Sequence, residues 1–178
     1  MTTIYFVRHG QSEDNVAGVT SGAERDALLT DEGRSQARLA GQQLKDKSID
    51  LIVCSPMKRA IETAELIAKQ IGYDPVHIVQ RKEFTERFMG IYSGVDHAEY
   101  RAANASGSTH ESLESTEAML DRVTEGLDWL KGHKAENIVV VAHGGIGRAV
   151  KAYDQKFHHS EMYKLDGFAN TEIYEFTV

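Results

Sequence analysis

Residues Tyr5–Asn15 read YFVRHGQSEDN. Four apolar positions, Ile4 to Val7, run straight into Arg8, His9 and Gly10. A short continuous apolar run of this kind reads as a strand buried on both faces, the type found in parallel sheets covered by helices. The strand ends by setting an arginine and a histidine side by side. Partners for those two side chains must come from elsewhere in the chain.

Apolar runs and helical periods alternate downstream. Thr30 can cap a helix whose first turn carries Asp31 and Glu32, where carboxylates suit the helix dipole, and Ala37, Ala40, Gly41 and Leu44 then share one face. Leu51–Cys54 is a second buried-strand run. Ser55-Pro56 after it fits the N-cap and first position of a helix with its buried stripe at Ala60, Ala64, Ile67, Ala68 and Ile71. Pro75 introduces a third strand at His77–Val79. Ser108-x-x-Glu111 predicts a capping box ahead of a long amphipathic helix through Leu113, Leu120, Val123, Leu127 and Leu130. Ile138–Ala142 carries no polar side chain and is closed by His143-Gly144-Gly145. A helix over Ile146–Tyr153 and a last strand over Glu172–Val178 complete the pattern. Strand–helix alternation with continuous apolar strands predicts a three-layer α/β/α fold with a mostly parallel central sheet, in one domain spanning residues 1–178.

Composition narrows the function. The chain has 178 residues, 41% apolar and 26% charged, as in ordinary globular proteins, and a net charge of −7 with no Lys/Arg cluster, which argues against a nucleic-acid surface. The single cysteine, Cys54, excludes an internal disulfide and reads as buried; its spacing to Arg59 is one residue short of the C-x5-R of cysteine phosphatases. No apolar run approaches the ~20 residues needed to span a bilayer. The N-terminus lacks a basic region and a cleavage pattern, so a cytoplasmic location is expected.

Ligands in open α/β sheets bind at the carboxyl ends of the strands. Arg8-His9, the Ser55–Arg59 segment and His143-Gly144 all follow such ends, so the basic groups converge on one sheet edge. Guanidinium forks match phosphate oxygens in pairs. Gly10 permits close backbone approach, and Gly144 and Gly145 at a helix start suit an anion. A neutral imidazole at His9 can attack phosphorus and carry the phosphoryl group. His143 in its protonated form would stabilise the equatorial oxygens, as would Arg8 and Arg59. The leaving alkoxide needs a carboxylic acid, and Glu83 and Glu86 both lie just after the third strand.

Here the residues resemble a known family. Arg8, His9, Gly10, Ser12 and Asn15 are similar to the R-H-G-x-[ST]-x-x-N opening of the histidine phosphatase superfamily, which includes the phosphoglycerate mutases. Asp26, Leu29-Thr30, Gly33 and Gln36-Ala37 follow in order, then Ser55-Pro56-x-x-Arg59-Ala60-x-x-Thr63-Ala64, then Glu86 with Gly90 and Gly94, then His143-Gly144. The resemblance implies a phosphoglycerate mutase-like fold, His9 as phosphorylated nucleophile, and Arg8, Arg59 and His143 as phosphate ligands with Asn15 in support. It favours Glu86 over Glu83 as proton donor and acceptor, and likens Ser21-Gly22 to a loop whose backbone touches substrate. It implies no metal and no cofactor. The expected partner is a small phosphorylated substrate, without nucleic acid or membrane.

The chain also departs from the family pattern. Phosphoglycerate mutases of this family carry an inserted basic segment; here the stretch after Gly94, VDHAEYRAANASGSTHE, holds Arg101 as its sole basic lysine or arginine, although Arg87 resembles the mutases. Glu111-Ser112 and Glu114-Ser115 both compete for the family's G-G-E-S ahead of the long helix. The expected activity is therefore metal-independent phosphatase. A bisphosphoglycerate-dependent mutase is the alternative, and a non-catalytic phospho-ligand module the third reading.

Overall fold

The computed structural model describes residues 1–106 and 110–178. Five strands, β1 Thr3–Arg8, β2 Leu51–Cys54, β3 Val79–Gln80, β4 Asn137–Ala142 and β5 Ile173–Thr177, form one sheet in the order β3-β2-β4-β1-β5. All neighbours are parallel except β5, which runs antiparallel to β1. Among the described residues six α-helices accompany it: α1 Glu13–Ala17, α2 Asp31–Leu44, α3 Lys58–Ile71, α4 His97–Ala105, α5 Thr116–Lys131 and α6 Gly144–Gln155. No helix among the described residues is long and apolar enough to cross a membrane.

The period of two along each strand divides the interior. Ile4, Phe6, Ile138 and Val140 face the core shared with α5 and α6, whereas Tyr5, Val7, Val139 and Val141 join Ile52 and Cys54 against α2 and α3. The central strands are thus apolar on both faces, and each fully buried side chain there contributes roughly 1.5–3 kcal/mol. This is the three-layer arrangement expected from the sequence. The chain moves outward from β1 to β2 to β3 and then returns to insert β4 between β2 and β1. That reversal places a crevice at the carboxyl ends of β1 and β4. Arg8 pairs with Ala142, and Cys54 with Val141, so Arg8, Ser55 and His143 emerge at one level.

Several local expectations shift. Helix α3 starts at Lys58, with Met57 at the N-cap and no side-chain cap, rather than at Ser55-Pro56. The third strand lies at Val79–Gln80 because Pro75–His77 form a 3₁₀ turn capped by Asp74. Ser108 of the expected capping box lies outside the described residues; Ser115 caps α5 by accepting from the Ala118 N–H at 3.0 Å, so Leu113 precedes the helix. Helix α6 is longer than the apolar stripe indicates, because Gly144 and Gly145 form its first turn. Thr30 caps α2 as expected, accepting from the Gly33 N–H at 3.0 Å.

Candidate active site

Strand β1 delivers Arg8, and His9 follows it with its backbone N–H bonded to the Ala142 carbonyl at 2.9 Å. His9 is only 4% exposed, and two bonds fix its tautomer. The Gly10 carbonyl, 2.7 Å from Nδ1, can only accept, so Nδ1 carries the proton. Arg59 Nε, 3.2 Å from Nε2, can only donate, so Nε2 presents its lone pair. The two constraints agree on one neutral imidazole. Burial pushes the His9 pKa well below 6.5, and the Arg59 and Arg8 charges push it further.

Arg59 is 1% exposed, on the first turn of α3. Its Nη1 donates to the Arg25 carbonyl at 2.8 Å and its Nη2 to the Gly22 carbonyl at 3.2 Å. Gly22 adopts φ +65°, a conformation that favours glycine, and this aims its carbonyl at the guanidinium. Ser21 and Gly22 are thus seen in a loop that holds Arg59. Ser21 donates to Asp14 at 2.8 Å, and Arg25 binds the same carboxylate through two bonds of 2.9 Å. Chiefly that hydrogen bonding from Arg25 holds the buried Asp14 carboxyl below its ordinary value.

His143 is fully buried at the end of β4, its ring 5.2 Å from that of His9 in an edge-on arrangement. Its Nε2 shares a 2.7 Å hydrogen bond with Ser55 Oγ, which explains why Ser55 does not cap α3. Burial, then Arg59, His9 and Arg8, depress the His143 pKa well below 6.5. That direction opposes the protonated His143 expected from the sequence, and a phosphate dianion is the charge that would favour it. Arg8 donates through Nη1 to the Phe168 carbonyl. Arg8 Nε and His143 Nδ1 are buried without a hydrogen-bond partner among the described residues. A buried unmade hydrogen bond costs about 1–3 kcal/mol, so both nitrogens call for a polar ligand, and Arg8 Nε, which can only donate, calls for one with an acceptor. Burial lowers the pKa of both Arg8 and Arg59, and the Glu86 carboxylate opposes it in each.

Glu86 lies against the start of α6: Oε2 accepts from the Gly145 N–H at 3.1 Å and Oε1 from the Arg87 N–H at 2.8 Å. Glu83 is elsewhere. It is buried against Gly126 of α5 and paired with Arg81 at 2.9 Å. The structure thus places Glu86, and not Glu83, at the first turn of α6, close enough for its charge to act on Arg8 and Arg59.

The glycines are engaged by neighbouring groups of the protein. A Cβ on Gly10 would fall against the Gly33 carbonyl, 2.9 Å from its carbon. Gly10 therefore lets the His9 loop pack on the first turn of α2. The Gly145 N–H is taken up by Glu86, and Gly144 packs beside the Arg8 guanidinium. Asn15 completes a capping box with Ser12 on α1, and its Oδ1 also accepts from Asn170 at 3.1 Å. Asn170 in turn donates to the His9 carbonyl at 3.0 Å. Asn170, Phe168, Ser55 and Asp14–Arg25 are not among the residues singled out from the sequence for the site. Cys54 is buried with its thiol pushed up to about 12 by burial, consistent with an inert core residue.

The model of the histidine phosphatase superfamily, branch 1, matches residues 4–178. The chain belongs to that family. A phosphatase from Bacillus subtilis (strain 168), named PhoE and described as uncharacterized, is 34% identical over 145 residues, covering 81% of this chain and 72% of its own. A 2,3-bisphosphoglycerate-dependent phosphoglycerate mutase from Methylobacterium sp. (strain 4-46) is 32% identical over 162 residues, covering 83% and 77%. Among solved structures, a phosphoserine phosphatase mutant from Entamoeba histolytica in complex with phosphoserine superposes with a TM-score of 0.83 at 26% identity, covering 99% of this chain and 91% of that one. This member of the superfamily therefore has both phosphatase and mutase relatives.

Proposed function

We propose that the chain is a phosphomonoesterase that hydrolyses small phosphorylated substrates through a phosphohistidine on Nε2 of His9. The observation that carries this reading is the locked tautomer: Nδ1–H is held by the Gly10 carbonyl while the Nε2 lone pair faces Arg59. Substrate phosphate takes the place of the Arg59 Nε contact and is met by Arg8, Arg59 and His143. Nε2 attacks phosphorus, forming a P–N bond as the P–O ester bond breaks. Glu86, in its carboxylic form, gives its proton to the departing alkoxide. It then takes a proton from water, whose oxygen attacks phosphorus. The P–N electron pair returns to Nε2 and inorganic phosphate leaves. No metal has a role in this cycle.

Acid-labile, base-stable phosphate trapped on the wild type during turnover, and lost in His9→Ala, is the expected result. Undiminished labelling of His9→Ala refutes the assignment. Release of phosphate from an aryl phosphate is expected to persist in EDTA.

The likeness to the Methylobacterium mutase supports a second reading, interconversion of 3- and 2-phosphoglycerate with a bisphosphoglycerate primer. The single arginine and absence of lysine in the stretch after Gly94 favour hydrolysis over it. Conversion faster than hydrolysis in a primed assay reverses that ranking.

A further inference from the structure

Glu86 sits on an irregular segment between the 3₁₀ turns Lys82–Phe84 and Gly90–Tyr92. Neither helix nor strand fixes its backbone, yet proton transfer needs the carboxyl held to within a fraction of an ångström. The holding device lies behind the segment. Arg122 of α5 commits all five guanidinium N–H groups. Nη1 donates to the Glu83 and Thr85 carbonyls at 2.8 and 2.7 Å, Nη2 to the Glu86 carbonyl at 3.1 Å, and Nη2 and Nε to the Glu114 carboxylate at 2.8 and 2.6 Å. Glu114 grips the same segment. Its Oε2 accepts from the Phe88 N–H at 3.1 Å, its carbonyl from Arg87 Nε at 2.8 Å, and its N–H donates to the Phe88 carbonyl at 2.9 Å. Both side chains are largely buried, 18% and 10% exposed, so the pair is little screened by solvent.

We propose that the Arg122–Glu114 pair is a positioning device for the general acid and base: it sets the Glu86 backbone so that the carboxyl reaches the Gly145 N–H at the start of α6. Neither residue is catalytic; both act through Glu86. The inference rests on the reading of Glu86 given above. It identifies Glu114-Ser115, rather than Glu111-Ser112, as the functional acidic pair ahead of α5, Ser115 being the helix cap.

The two half-reactions separate this role from a purely structural one. An activated aryl phosphate leaves without a proton, so phosphorylation of His9 does not need Glu86, whereas an alkyl phosphate does; dephosphorylation needs Glu86 as base for both. The test is rapid-quench kinetics of Arg122→Lys and Glu114→Gln with both substrates, beside Glu86→Gln. The expected result is an aryl burst at the wild-type rate, with alkyl phosphorylation and steady-state turnover down about 10- to 100-fold. Equal loss in the aryl burst and the alkyl rate overturns the proposal, because it reports general damage. If Arg122→Lys does not fold, Glu114→Gln decides alone: it keeps the shape and leaves one Arg122 N–H unpaired. The Glu86→Gln control distinguishes the two levels of the argument. If it spares the alkyl rate, the assignment of Glu86 falls; if it shows the leaving-group dependence and both clamp variants behave as wild type, only the positioning role falls.

Discussion

Acid should weaken this fold through its own active site. His9 and His143 are 4% and 0% exposed, and each has its pKa depressed well below 6.5 by burial and by Arg59 and Arg8. Below pH 6.5 the unfolded chain takes up a proton at each imidazole and the folded chain does not. Stability therefore falls as pH drops through 6.5, and continues to fall until the depressed pKa is reached. A histidine that stays neutral in the fold loses on the order of 1 kcal/mol per pH unit below 6.5, so the two together lose on the order of 2–3 kcal/mol between pH 7.5 and pH 5.5. Asp14 also has a depressed pKa, but its effect begins only near its ordinary 3.8, outside this range. Urea unfolding in phosphate-free buffer at both pH values, for wild type and the His9→Gln/His143→Gln double variant, isolates the two imidazoles from the other histidines. The wild type should lose on the order of 2–3 kcal/mol more than the variant, a difference in urea midpoint of roughly 1–3 M. Identical pH dependence in the two proteins refutes the reasoning, since the imidazoles would then titrate in the fold as in the unfolded chain.

Other outcomes follow from single contacts. Gly10→Ala drives a Cβ into the Gly33 backbone, which has no soft side-chain atoms to yield; unfolding free energy should fall by about 1–3 kcal/mol in a urea titration, with turnover lost as the Gly10–His9 bond shifts. Arg59→Lys cannot bond the Gly22 and Arg25 carbonyls and phosphate together, so inhibition by inorganic phosphate should weaken about tenfold or more in a competition assay. Ser55→Ala strands His143 Nε2 in a buried site, and thermal unfolding should report a loss of about 1–3 kcal/mol, with turnover reduced because the ring is no longer oriented.

The central strands β1, β2 and β4 are legible as apolar runs because both of their faces are buried, so no polar residue interrupts them. β3 is less so: it is a two-residue edge strand, partly exposed, and its length is set by the 3₁₀ turns beside it rather than by its own pattern. Arg8, His9, Arg59, Glu86 and His143 could be collected because each follows a strand end or an ordered motif. Ser55 looked like a helix cap since the local sequence Ser-Pro offers that role, and only the tertiary fold brings a histidine within reach of its hydroxyl. Asn170 acts on residues 161 and 155 positions away, a separation that leaves no local mark. Arg122 binds mainly backbone carbonyls, which every residue possesses, so no side-chain pattern announces it.

β1 sits between β4 and β5, and the guanidinium at its end is tied to a carbonyl 160 residues along the chain. Apart from the neighbouring Gly10 carbonyl, the groups that hold His9 come from distant parts of the chain: Arg59, Ala142 and Asn170. Closing loops of that length comes late and is slow relative to forming helices. A refolding chain should therefore regain its helical signal before it regains any turnover. On the proposed mechanism, turnover is a gauge of complete assembly: a partly folded molecule would carry all the reactive groups and none of the reaction.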